Sequence, residues 1–388
     1  MDFGSVPSAT EATETTEATE ATEATERKES APPSSDTLGS PVSNSIAPPT
    51  VAPRRDPFSI NALQWLQRFG SLAALIILVI VASILSPTFL TGNNIRPQLQ
   101  LFAVQTALIS AGQTLVILTG GIDLSVGSLL AVGSTLAAQL AIARAPLILI
   151  IALPILLCGA IGTISGTIIA RTRIQPIVVT LAMLIAARGV ARLIGGNHQL
   201  DLSQLPDTVF AGNLNTVVPI PGIATIPLGP VPLLGAIPLS IALVVIVYLA
   251  VSLFLTRTVP GRYVFAVGGN ERAARLSGVA ADRVKVTVYA ISGLLAGLAG
   301  VLFASSYQNA DPANDATLFE LTTIAAVVVG GTSLLGGTGG VWRTLVGGLI
   351  LVVLNALFIQ LGLPQPTQLI AQGLIIVGAV ALQAGSSS

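Results

Sequence analysis

Between Arg144 and Arg171 no side chain carries a charge, and the intervening residues are mostly Leu, Ile, Ala and Gly. A hydrocarbon core of ~30 Å takes about 20 apolar residues of helix to cross, so a run of this length is a membrane span. Similar runs recur through most of the chain. Over 388 residues the composition agrees, at 52% hydrophobic and 9% charged, against the roughly 25% charge of a water-soluble domain. The sequence therefore predicts an all-α polytopic membrane protein with about ten transmembrane helices. They fall near 67–86, 101–119, 124–142, 146–170, 176–195, 234–255, 285–305, 320–336, 341–360 and 367–384.

The formal net charge of zero is a cancellation between two regions. Residues 1–56 carry 10 acidic and 4 basic side chains, whereas residues 57–388 carry 8 and 14. The first region repeats Thr-Glu-Ala, with glutamates every third residue from Glu11 to Glu26, and continues into a Pro/Ser-rich stretch. It has nothing with which to bury a core, and a period of three makes no stable helical stripe, so residues 1–56 are expected to form a disordered cytoplasmic tail. The membrane domain is expected over 57–388. The first residues, Met-Asp-Phe-Gly-Ser, lack a basic region followed by an apolar one, so no cleaved secretory signal is expected.

Orientation follows from where Lys and Arg collect, because basic loops stay in the cytoplasm. The segment 256–285 holds Arg257, Arg262, Arg272, Arg275, Arg283 and Lys285 against Glu271 and Asp282. Arg171 and Arg173 belong on the same side. The stretch from Leu193 to Leu233 has no Lys or Arg but carries Asp201 and Asp207, and the loop with Asp311, Asp315 and Glu320 also lacks basic residues. Ten spans with both termini inside satisfy these placements, with Arg96 and Arg144 as single exceptions.

Several chemistries are excluded. The only lysines, Lys28 and Lys285, do not follow a glycine, so there is no phosphate-binding loop of the G-x-x-x-x-G-K-[ST] type. One histidine, His198, and one cysteine, Cys158, leave no His or Cys metal cluster, no Ser-His-Asp triad and no intrachain disulfide. The chain is expected to have no catalytic residues, no metal and no cofactor, and not to be an enzyme.

Within 256–285, Gly268 and Gly269 break the chain, Asn270 suits a helix N-cap, Glu271 favours the first turn and Gly278 suits the position after the helix end. A helix of about two turns is predicted there, too short to be stable in water unless it packs on something. Local physics leaves two roles open: a turn lying on the membrane surface, or a peg that docks into a cytoplasmic partner.

Gly261-Arg262-Tyr263, Ala266 to Asn270, and Ala273-Ala274-Arg275-Leu276-Ser277-Gly278-Val279 resemble the cytoplasmic coupling loop of permease subunits in the ribose/monosaccharide branch of bacterial ABC importers. Three more segments resemble the same family in order: Leu118 to Ser128, Thr180-Leu181-Ala182-Met183 with Ala187-Arg188-Gly189, and Gly330 to Gly337. The resemblance covers roughly 60–385. It implies a type II importer-like permease dimer, homomeric or heteromeric, in the bacterial inner membrane. It also implies a separate cytoplasmic ATPase subunit and an extracytoplasmic sugar-binding protein. Gly261, Arg262, Gly268, Gly269, Asn270, Glu271, Ala273, Ala274, Arg275, Leu276 and Gly278 would then contact the ATPase. A bulky charged residue at Gly269 or Ala274 is expected to uncouple transport. Thr258-Val259-Pro260 before Gly261, and Gln175, depart from the family pattern. A permease for branched-chain amino acids or nucleosides is the nearer alternative, an ion-driven carrier the more distant one.

The segment Gly120-Gly121-Ile122-Asp123-Leu124-Ser125 joins two spans with little room for a loop. Either Asp123 or Ser125 caps the next helix, or the break lies at membrane depth and lines the pathway. Gly330-Gly331-Thr332-Ser333 repeats its Gly-Gly spacing and is a candidate for the same pathway. Asp311, Asp315 and Glu320 are candidates for docking the binding protein. Gly293, Gly297 and Gly300 suggest close helix packing. Arg188 and Arg192 either reach for the outer interface or pair with an acid.

Overall fold

The computed structural model describes residues 62–205, 217–219 and 236–385; the Thr-Glu-Ala tail and the part of the outer loop holding Asp207 lie outside the described residues. In chain order the helices are α1 (Ala62–Leu85), α2 (Gly92–Phe102), a π-helical turn (Ala103–Ala107), α3 (Leu108–Leu118), α4 (Val126–Ile142), α5 (Leu147–Thr172) and α6 (Pro176–Gly195). They continue as α7 (Leu239–Arg257), α8 (Val259–Gly269), α9 (Glu271–Leu276), α10 (Ala281–Tyr307), α11 (Phe319–Val329), α12 (Val341–Gln360) and α13 (Gln365–Gly385). The protein is all-α and polytopic. Among the described residues six helical rods are long and apolar enough to cross a bilayer, namely 92–118, α5, α6, α7, α10 and α12; α4, α11 and Gly70–Leu85 are shorter apolar helices.

The expected span 320–336 stops at Val329, because Gly330 caps α11 and Gly331 turns the backbone to φ +89°. The segment 256–285 holds one more helix than expected. Thr258 caps α8 by accepting a hydrogen bond from the Gly261 amide at 3.1 Å, and Pro260 sits in its first turn, where a missing N–H costs nothing.

Helix α10 forms the centre, packed against α3, α4 and α5. Its small residues let backbones touch. A Cβ on Gly297 would come within 2.8 Å of Ile155 Cα, and one on Gly133 of α4 within 3.0 Å of the Gly297 carbonyl oxygen. Without a hydrophobic drive between helices in lipid, such close contact is what binds them. The π-helical turn is buried, and the Ala107 carbonyl accepts from the Tyr248 hydroxyl of α7 at 3.0 Å. At one end of the bundle β1 (Leu200–Asp201) pairs antiparallel with β4 (Asn309–Ala310), joining the segments after α6 and α10. A second ribbon pairs β2 (Val217–Pro219) with β3 (Ala236–Pro238).

Candidate functional site

At the opposite end three glycine turns, far apart in sequence, meet backbone to backbone. They are Gly120-Gly121 after α3, Gly268-Gly269 at the end of α8, and Gly336-Gly337 between α11 and α12. The Gly337 amide donates to the Leu118 carbonyl oxygen at 3.0 Å. A Cβ on Gly336 would lie 2.8 Å from Gly120 N and 3.0 Å from the Gly268 oxygen; one on Gly337 would lie 2.8 Å from Gly269 Cα; one on Gly268 would overlap the Leu118 carbonyl. Gly120, Gly336 and Gly337 also have φ of +77°, +88° and +72°, a region that L side chains rarely occupy. Glycine is required here on both counts. Gly261 has the same character at the start of α8, where a Cβ would overlap the Phe254 carbonyl of α7.

Helix α9 stands directly after this junction. The Asn270 side chain accepts from the Ala273 amide at 2.9 Å, closing its first turn, and Gly278 follows its end at φ +84°. Four charged side chains tie it to α10. Arg275 donates to Glu271 Oε1 at 2.8 Å and to both Asp282 oxygens at 3.0 and 2.5 Å, while Lys285 Nζ donates to Glu271 Oε2 at 2.7 Å. Burial alone would raise the Glu271 carboxyl, but the hydrogen bonds from Lys285 and Arg275 outweigh it and hold it below its ordinary value. Asp282 and then Glu271 hold the Arg275 guanidinium above its own.

The coupling-loop residues thus divide by exposure. Arg262, Gly269, Asn270, Ala273 and Gly278 are exposed, and Leu276 is 84% exposed; Ala274 is 6% exposed and packs inward against the core. A bulky charge at Ala274 would therefore disturb packing rather than only a docking face. In sequence Asp282 and Lys285 are loop charges, and Gly336 and Gly337 belong to a separate motif; their contacts are made only in the fold.

The Asp123 turn is buried, with Asp123 1% exposed. Its Oδ1 accepts from the Ser125 amide at 2.9 Å and hydroxyl at 2.6 Å, and its Oδ2 from the Ser292 hydroxyl of α10 at 3.1 Å. The Gln113 amide, oriented to satisfy both ends, bridges the Asp123 backbone at 3.1 and 3.2 Å. The carboxylate is spent on closing the turn ahead of α4. Across the junction, Thr332 is buried and its hydroxyl accepts from the Gly340 amide at 3.3 Å, and the Ser333 hydroxyl accepts from the Leu335 amide at 3.2 Å. Gly330 packs on the backbone of Arg343 and Thr344. Gly120 meets the Gly336 end of this segment rather than Gly330-Gly331, whose Gly330 packs on the start of α12.

At the far end Asp315 is 8% exposed. Its Oδ2 accepts from the Ser134 hydroxyl at 3.0 Å and the Asp311 amide at 2.9 Å, and its backbone carbonyl accepts from Arg188 at 2.7 Å. Burial pushes its carboxyl up to about 6. Asp315, a candidate for docking the binding protein, thus makes its carboxylate hydrogen bonds within the protein. Asp311 and Glu320 are half-buried; Asp311 caps its own turn through the Ala313 and Asn314 amides at 2.9 and 3.1 Å. Arg188 finds its partner in this segment, while Glu320 lies near Gly127 of α4.

A family model described as a permease component of branched-chain amino acid transport systems matches residues 98–380. The ribose import permease of Escherichia coli is 40% identical over 316 residues, 81% of this chain and 93% of that protein. The ribose import permease of Bacillus subtilis is 37% identical over 325 residues, 83% of this chain and 94% of that one. A fructose import permease of Bifidobacterium longum is 33% identical over 301 residues, 75% of this chain and 80% of that one. No solved structure gives a significant match.

Proposed function

The chain belongs to the ribose/monosaccharide branch of the ABC importer permeases, and we propose from that premise that it carries a monosaccharide inward across the bacterial inner membrane. It is a sugar-import permease subunit, and we assign the energy source to a separate ATPase. That ATPase grips α9 on the cytoplasmic side, placing both termini in the cytoplasm as the Lys and Arg distribution favours. An extracytoplasmic sugar-binding protein delivers the solute to the opposite end, where Asp311 and Glu320 are its candidate contacts. The working unit is a permease dimer of residues 57–388, with 1–56 as a cytoplasmic tail.

One observation carries the mechanism: α9 directly follows a glycine junction at which α3, α8 and the α11–α12 turn meet through backbone atoms. Backbone contacts have no rotamers to absorb a push. A displacement of α9 by the ATPase therefore reaches the helices on both sides of the junction together, and the differing ATPase affinity for the two positions drives alternating access. Asp123 keeps the α3–α4 turn rigid, so Gly120, Gly121, Asp123, Ser125, Gly330, Gly331, Thr332 and Ser333 serve as a transmission joint rather than as solute contacts.

Reconstitution of the chain with its ATPase and binding protein in proteoliposomes tests this. ATP-dependent sugar accumulation, lost when the ATPase is inactivated, is expected. Accumulation driven by an ion gradient without ATP would overturn it.

A further inference from the structure

Toward the end of the bundle away from the glycine junction, α2, the π-helical turn, α11, α12 and α13 line an open cavity of about 370 Å³. That lies inside the ~300–1,000 Å³ range of small-molecule sites. Six amide side chains line it: Gln98, Gln105, Asn355, Gln365, Gln368 and Gln372. Among the described residues no Asp, Glu, Lys, Arg or His does. Amides among otherwise apolar helices are costly unless paired or facing water or a ligand.

Their protein partners account for only part of their capacity. Gln105 Nε2 donates to the Tyr307 hydroxyl at 2.6 Å, Gln368 Nε2 to the Leu363 carbonyl at 2.8 Å, and Gln372 Nε2 to Asn355 Oδ1 at 3.4 Å. These three bonds engage the amide nitrogens; among the described residues no hydrogen bond engages the carbonyl oxygens of the three glutamines. Gln98 Oε1 is buried without any hydrogen-bond partner, an acceptor in need of a donor. Phe102 and Phe319 add apolar walls. Gln105 and Thr106 come from the π-helical turn, which locally widens the helix.

We infer that this cavity is the solute site within the permease, and that it accepts a neutral polyhydroxylated solute. The inference rests on the sugar-import function proposed above and adds to it a place and a selection rule. Amide oxygens accept from hydroxyls, aromatic faces cover the C–H side of a sugar ring, and the lack of charge leaves an amino acid's ammonium and carboxylate unpaired. In the proposed orientation the cavity sits where a solute released outside would first enter.

The test uses the full chain with its ATPase and binding protein in proteoliposomes, and radiolabelled D-ribose, D-fructose and L-leucine as probes. The unaltered chain is expected to accumulate a sugar and exclude leucine. Gln372→Leu and Asn355→Leu are expected to raise the uptake KM for that sugar at least tenfold. An unchanged KM in both, with sugar still accumulated by the unaltered chain, overturns the cavity. Accumulation of leucine but no sugar by the unaltered chain overturns the function itself. Should the leucine variants fail to assemble, Thr322→Cys in a Cys158→Ser background supplies a second readout. Saturating sugar is expected to slow labelling of that thiol by a methanethiosulfonate reagent; equal rates with and without sugar, in complexes that transport it, overturn the site.

Discussion

The Gly337 amide donates to the Leu118 carbonyl oxygen at 3.0 Å, and Gly268 lies against both groups. One hydrogen bond thus closes the α11–α12 turn onto the end of α3, under the segment that leads into α9. The bond leaves no gap into which a methyl group at Gly268 could be placed.

Gly268→Ala should therefore force the junction apart. Overpacking of this kind costs about 1–3 kcal/mol, which lowers the thermal midpoint in detergent and reduces ATP-dependent uptake. Gly189→Ala is the control, since a Cβ there meets nothing within 4 Å, and a change within about 0.5 kcal/mol is expected. Equal behaviour of the two variants would remove the junction from the mechanism.

Leu276 offers the cleaner probe of ATPase docking, because it is 84% exposed whereas Ala274 packs inward. Leu276→Asp should leave the permease's own thermal stability within about 0.5 kcal/mol. If Leu276 is an anchor it should cost about 2 kcal/mol or more of ATPase binding. Co-purification and a titration of ATPase against detergent-solubilised permease measure it; unaltered affinity would place the grip elsewhere.

Arg275 holds Glu271 and Asp282 at once, a fork that Lys cannot reproduce. Arg275→Lys is expected to change stability by at most about 1 kcal/mol, since the pairs are partly solvated, yet to lower the sugar moved per ATP hydrolysed. Because the Glu271 carboxyl lies below its ordinary value, its pairing stabilises the fold at pH above that ordinary value and is lost as pH falls through the depressed one. The ratio of sugar to ATP should then be flat from pH 6 to 8, which parallel uptake and hydrolysis assays would show.

Asp315 gives the opposite sign. Its carboxyl is raised to about 6, so between the unfolded value near 4 and about 6 the folded state binds more protons, and stability falls as pH rises through that window. Asp315→Asn should flatten this part of the profile. Thermal midpoints between pH 4 and 8 provide the check, and an identical slope in both proteins would deny Asp315 its part.

The division between sequence and tertiary structure follows from the range of the interactions involved. Uncharged runs such as 145–170 made the helical membrane class legible, since crossing lipid depends only on local composition and length. The α9 helix was equally readable, because Asn270, Glu271 and Gly278 act on their own neighbours. Span boundaries were less so: Gly331 ended α11 early, and the Thr258 cap began a helix in what read as loop. What the tertiary structure alone decided is which distant residues meet. Gly120, Gly268 and Gly336 are ordinary turn glycines until the chain stacks them, and Ser292 and Gln113 reach the Asp123 turn only in the folded bundle. Gln365, Gln368 and Gln372 recur along one helix, but a cavity exists only because Gln98, Gln105 and Asn355 arrive from other helices. Local rules act over a turn of helix, whereas sites are built from contacts hundreds of residues apart.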